Sequence, residues 1–170
     1  MSSTFYLYFI VAIVPMIVGY IYSTPKVLGT VWMKTNNFTD EYLKEANMAV
    51  VFGVSYLFSL IATFLLSRFV IHQSALFSLF VPEIMTSGSE AQATFNTIME
   101  TYGDAHRSFK QGLCHGIFIS IMFLFPITGI NALFERRGWK YIFIHTGYWF
   151  ISLSIMGGLL CQFLVFASPA

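Results

Sequence analysis

All 17 formal charges of this 170-residue chain fall outside four windows, 1–25, 46–67, 111–134 and 141–170. Each window is long enough to cross a bilayer, because a spanning helix needs about 20 mostly apolar residues at about 1.5 Å of rise each. The charge-free run 69–82 is too short to span and reads as an interfacial piece or an extension of the second helix. The spacing therefore predicts an all-α chain: one integral membrane domain over 1–170, a four-transmembrane-helix bundle. Its spans are expected at about 4–24, 47–68, 110–133 and 140–166, with an outer segment at 69–109. Only 10% of residues are charged, against about 25% in a soluble domain. A net charge of +1 gives no footprint for nucleic acid. The partner the composition implies is the lipid bilayer.

The N-terminus reads as a retained helix rather than a removable signal. Met1-Ser2-Ser3-Thr4 carries no Lys or Arg, and no small-residue cleavage pattern follows the apolar run. Lys26, Lys34 and Lys44 follow the first window, and Arg136, Arg137 and Lys140 separate the third from the fourth. In a four-span protein these two loops share a face, and basic residues favour the cytoplasmic face. Both termini and the 69–109 segment are then expected outside the cytoplasm.

The connections have readable starts. Thr39 followed by Asp40 and Glu41 predicts an N-cap with acids in the first turn, hence a short cytoplasmic helix in the first loop, with a break near Asn47. Gly29-Thr30-Val31-Trp32-Met33 reads as a turn with Trp32 anchored at the interface. Ser89-Glu90-Ala91-Gln92 fits a capping box, and Phe95, Ile98, Met99 and Tyr102 follow as one helical stripe. That predicts an outer amphipathic helix lying on the bundle ends or on the headgroups.

Ranked by helical rise from the cytoplasmic ends, Tyr22, Tyr56, Asn131, His145 and Tyr148 fall in one cytoplasmic-side polar layer. That layer is the best candidate site. Polar residues commonly join membrane helices. For His145 a hydrogen bond to Asn131, Tyr56 or a backbone carbonyl therefore outranks a ligand or proton site. His115 lies at the opposite end of the third helix, about 20 Å away by helical rise. It cannot share a metal with His145 and is expected in solvent contact. No His-x-x-Glu or Cys-x-x-Cys pattern supports a metal, and no phosphate-loop pattern supports a cofactor, so neither is expected. Cys114 and Cys161 share a depth near the outer face, and two free buried thiols are favoured over a disulfide. Arg136, Arg137, Lys140 and Trp32 are candidate lipid or partner contacts on the cytoplasmic face, with topology as the default role of the cations. Gly112-x-x-x-Gly116 and Gly157-Gly158 suit close helix packing. The Asn37-Phe38-Thr39 sequon lies on the expected cytoplasmic side and is discounted.

Several spaced signatures occur in order: Gly19-x-x-Tyr22-Ser23-x-x-Val27-x-Gly29-x-x-Trp32-Met33-Lys34, Phe38-Thr39-x-Glu41, Asn47-Met48, Asn131 through Lys140, Gly147-Tyr148-Trp149 and Met156-Gly157. With these the chain resembles the bacterial membrane proteins of domain-of-unknown-function family 1761. The resemblance covers about the first 65 and about the last 45 residues and leaves 69–108 without a counterpart. It implies four spans, a bacterial inner membrane and no assigned activity.

Three functional classes follow, in order. The first is a structural or accessory subunit of a larger membrane assembly, since no span contains Asp, Glu, Lys or Arg. The second is a small oligomeric transporter or channel, although ion-coupled carriers usually place charges at membrane depth. The third is an integral-membrane enzyme or small-ligand-binding protein using the polar layer, for which a nucleophile, base or metal set is missing from the sequence. The chain leans away from being an enzyme. A membrane-protein partner or a homo-oligomer is expected beside the bilayer.

Overall fold

The structure is a computed structural model that describes residues 4–165. The outermost residues of the first and last charge-free windows, including position 166 of the last expected span, lie outside the described residues. Regular structure among the described residues is all helical. Three helices are long and apolar enough to cross a membrane: Met48–Val70, Phe109–Phe134 and Trp139–Phe163. Their length and composition point to a membrane protein.

The N-terminal apolar helix, Tyr6–Tyr22, is shorter than these and is broken. It divides into α1 (Tyr6–Val11) and α2 (Val14–Tyr22). Pro15 stands in the first turn of α2 and brings no N–H to the ladder. Around the break the Ile13 and Met16 amides bond three residues back, to Ile10 and Ile13. The carbonyls of Phe9 and Ala12 are thereby left for other donors.

The first loop contains two short helices rather than one. Residues 29–33, expected as a turn, form the start of α3 (Gly29–Asn36). Gly29 is buried against the Ser23 carbonyl, where a Cβ would collide, so the chain doubles back tightly enough for a helix to follow. Next comes α4 (Asp40–Lys44), with the Thr39 hydroxyl accepting from the Tyr42 amide at 3.2 Å. Asn47 then caps α5 (Met48–Val70) by accepting from the Val50 amide at 3.3 Å.

Beyond an extended Ile71 lie α6 (His72–Phe80), a 3₁₀ turn at Glu83–Met85 and α7 (Glu90–Tyr102). Ser89 accepts from the Gln92 amide at 3.1 Å, while Gln92 Oε1 accepts from the Gly88 amide at 2.8 Å. The apolar stripe of α7 packs on α6: buried Phe95 meets Phe77 and Phe80 edge-on at 6.1 and 5.9 Å.

The third long helix comprises α8 (Phe109–Ile119), a π-helical turn at Ser120–Leu124 and α9 (Phe125–Phe134). Pro126 at the start of α9 withholds an amide from the preceding turn, a usual cause of a wide turn. The last helix, α10 (Trp139–Phe163), touches α1, α2, α3, α5, α8 and α9. It is the least apolar of the three long helices, with mean hydropathy 1.3 against 2.2 and 2.1, and the most buried, 50% against 17% and 11%. Small residues explain this. Gly112 and Gly116 of α8 face Gly157, Leu153 and Ser154 of α10 so closely that a Cβ on any of the three glycines would strike the opposing backbone. Without a hydrophobic drive between helices in lipid, such close backbone approach is what holds them. The main buried core lies between α1, α5 and α10, at Tyr8, Val11, Leu66, Val70, Leu153, Met156 and Leu160.

Candidate functional site

The expected polar layer begins where α2 meets α10. The Tyr22 hydroxyl donates to the Ile144 carbonyl at 2.9 Å, and the Tyr148 hydroxyl donates to the Pro15 carbonyl at 3.0 Å. The rings meet edge to face at 6.0 Å. Two glycines admit them: a Cβ on Gly147 would stand 2.8 Å from the Tyr22 oxygen, and one on Gly19 would stand 3.5 Å from the Tyr148 ring. Each helix thus supplies one glycine and one tyrosine, and each tyrosine lies over the other helix's glycine.

His145 sits beside this clamp with an unforeseen partner. Its Nε2 is 3.3 Å from Asn36 Oδ1, and Asn36 Nδ2 in turn donates to the Trp32 carbonyl at 2.8 Å. Since the Asn36 amide nitrogen is committed, Nε2 must carry the proton in this contact. The His145 ring lies 4.1 Å from Tyr141, over which Arg137 stands at 5.5 Å. Arg137 also approaches Glu135 at 3.8 Å across the surface.

Tyr56 is not part of that group. It donates to the Phe9 carbonyl at 3.2 Å, and Ser59, one turn on, donates to the Ala12 carbonyl at 2.6 Å. These are the two carbonyls released by the break between α1 and α2, so α5 supplies what the broken ladder lost. Asn131 is exposed on α9, and the side-chain partner of His145 is Asn36 instead. Arg136 and Lys140 are exposed, and Trp32 is half-buried against Phe38 at 5.2 Å. The structure therefore brings together Tyr22, Tyr148 and His145, leaves Tyr56 at the helix break and sets Asn131 apart. Chemically, the three tyrosine hydroxyl protons are all committed to backbone carbonyls.

The family described as "Protein of unknown function (DUF1761)" matches residues 7–161. The chain belongs to the DUF1761 family. The match runs through 69–108, the segment for which the sequence signatures offered no counterpart. No curated protein and no solved structure matches the chain.

At the end of this DUF1761 chain away from the first loop lies a cluster that residue spacing did not reveal. His72 opens α6, His106 stands in the turn before α8, and His115 projects from α8. The His72 ring lies 5.0 Å from His115 and 6.1 Å from His106. Burial, then the two neighbouring imidazoles, lowers the His72 pKa. A cavity of about 220 Å³ adjoins, lined by His72, Gln73, Ile98, Met99, Tyr102 and His106 among others. Gln73 Nε2 donates to the Tyr102 and Ala105 carbonyls at 3.2 and 3.0 Å, leaving Oε1 buried with no partner. The signal available in sequence was topological: a residue just after the second span and two around the start of the third must share one end.

Nearby, Cys161 donates to the His106 carbonyl at 3.3 Å, and Arg107 donates to the Leu164 carbonyl, capping the end of α10. Burial pulls the Arg107 guanidinium below its usual pKa, opposed by Cys161 and Asp104. Both cysteines are free. Cys161 is buried, but Cys114, expected buried, is exposed. It is Gly112 that faces Cys161 across the α8–α10 contact, so Cys114, two positions on, points away.

Proposed function

We propose that this DUF1761 protein is a four-span protein of the bacterial inner membrane, with both termini outside, acting as a structural or accessory subunit of a larger membrane assembly. Tyr6–Tyr22 serves as the fourth span, short but extended at either end by interfacial residues. One observation carries the functional reading: Tyr22, Tyr148, Tyr56 and Ser59, in the helices around the proposed polar layer, are used up in helix joining. Tyr22, Tyr148, Tyr56 and Ser59 each donate to a backbone carbonyl of a neighbouring helix. A transport path or a catalytic pair needs polar groups free to meet a substrate. Here they instead satisfy a broken helix and fasten α2 to α10. The long helices α5 and α8–α9 meanwhile keep most of their apolar surface outward, available to lipid or to a membrane partner. The exposed cations Arg136 and Lys140, with Arg137, suit anionic headgroups or an acidic partner loop at the cytoplasmic face.

Purification of the tagged full chain from native membranes in mild detergent tests this. Recovery of a larger membrane protein at fixed stoichiometry is the expected result. A chain recovered alone as a monomer would overturn the subunit reading, and a homo-oligomer with a water-filled axis would replace it with a channel.

A further inference from the structure

The helices α6 and α7 form a cap with few ties to the bundle. α6 packs on α7 and α5, and α7 on α6 and the 3₁₀ turn, while neither has more than a slight contact with α8 or α10. Within the cap the joints are good: Phe95 meets Phe77 and Phe80, and Gln73 Nε2 donates to the Tyr102 and Ala105 carbonyls. Its link to α5 is the single extended residue Ile71. Imidazoles stand across the seam. His72 belongs to the cap and His115 to α8, while His106 lies in a turn whose carbonyl accepts from Cys161 of α10. We propose that these histidines are a pH-sensitive latch: neutral, their rings seat the cap on the bundle, and protonated, they repel and release it.

Both ring contacts join His72 to the bundle side, at 5.0 Å to His115 and 6.1 Å to His106. Among the described residues no three His, Cys, Asp or Glu side chains group closely enough to hold a metal ion, so no carboxylate stands between two of these rings. The other charged and titratable groups nearby are engaged elsewhere or exposed. Arg68 of α5 stands over Phe64 at 6.0 Å, and Arg107 caps α10 under the influence of Cys161 and Asp104. Tyr102 of α7 lines the cavity, and Glu100, Lys110 and Cys114 are exposed. Burial, then His115 and His106, lowers the His72 pKa. The seated ring therefore resists a proton that the released ring accepts near the ordinary value of about 6.5. Seating is at full strength above that pH and is lost as pH falls through the lowered value. His115 Nδ1 already donates to the Gln111 carbonyl at 2.8 Å, so its added proton goes to Nε2. Like charges this far apart in water-like surroundings shift an equilibrium about three- to fourfold per pair, roughly tenfold for the two. On the orientation proposed above the latch reads pH outside the cytoplasm, and it works equally in the other orientation.

Hydrogen exchange of the full chain in lipid nanodiscs at pH 7.5 and pH 5.0 tests the latch, with rates corrected for intrinsic exchange. Protection of the α6 and α7 amides should fall roughly tenfold at pH 5.0, while that of the buried α10 amides stays unchanged. His72→Gln should abolish the fall, and His115→Gln or His106→Gln should reduce it about three- to fourfold. His145→Phe, which alters the fourth histidine, should keep the full response. Salt at 1 M should shrink the wild-type fall, because the screening length drops to about 3 Å. Equal protection at the two pH values, or an undiminished fall in His72→Gln, overturns the latch. Should His72→Gln fail to fold, the wild type still decides: a fall that 1 M salt leaves unchanged does not come from repulsion and overturns it too.

Discussion

Tyr22 and Tyr148 each donate a hydrogen bond to a backbone carbonyl of the other's helix, at 2.9 and 3.0 Å, while their rings pack edge to face. Removing either hydroxyl orphans no donor but leaves a pair of helices with one tie fewer. Tyr22→Phe and Tyr148→Phe should each cost about 0.6 kcal/mol and no more than about 1.7, the average and the maximum found for such bonds in membranes. The double variant should depart from the sum of the two, because the rings touch. Unfolding in mixed detergent reads both effects, and additive, near-zero costs would show that the clamp holds nothing.

The glycines of the α8–α10 seam should behave unlike glycines that face open space. Gly112→Val and Gly157→Val put atoms into the opposing carbonyl and should destabilise by about 1–3 kcal/mol or abolish folding. Gly53→Ala and Gly129→Ala meet nothing within 4 Å and should be neutral or stabilising by up to about 1 kcal/mol. Thermal unfolding of the four variants in detergent separates the two classes.

Ser59 is buried and donates at 2.6 Å to the Ala12 carbonyl at the helix break. Ser59→Ala leaves that carbonyl without a donor and should cost about 1–3 kcal/mol. Hydrogen exchange of the α1–α2 amides should quicken in the variant; unchanged exchange and stability would mean another donor takes over.

Thiol chemistry should follow exposure. A small permeant maleimide is expected to modify Cys114 in the folded protein and to reach Cys161 only on unfolding. Intact-mass measurement with and without denaturant checks this, and two tags on the native protein would contradict the packing of Cys161.

Orientation is open to a direct check in a background lacking both cysteines. A membrane-impermeant maleimide added to intact cells should label Ser87→Cys, in the exposed turn before α7, and not Glu45→Cys, in the exposed turn after α4. The reverse pattern would invert the assignment of both termini.

Much of the architecture was legible because charge placement and caps act locally. The helices that Thr39 and Ser89 start are there, and three long apolar helices run close to the charge-free windows. The break at Ala12–Ile13 was harder to see, since Pro15 reads equally as a first-turn residue or as a kink until neighbouring donors are known. Likewise α3 looked like a turn because Gly29 is a turn-forming residue, whereas it is there to let the chain pass the Ser23 carbonyl. The polar layer was judged by depth alone. Depth along a helix says nothing about facing, so Asn131 and His145, similar in depth, do not meet, while Asn36, from a loop helix, does. The histidine cluster escaped the depth ranking for the converse reason: His72 and His106 lie outside the spans, and only the folding of 69–109 brings them to His115 at the start of the third long helix.

The break in the N-terminal helix also bears on the order of assembly. A ribosome delivers α1 and α2 first and α10 last, yet α10 holds the Tyr148 that binds Pro15, and the backbone at its end meets Thr4. The Phe9 and Ala12 carbonyls likewise wait for Tyr56 and Ser59 of α5. The α1–α2 segment is thus made before the helices that seat it, and its seat is complete only once α10 has been made.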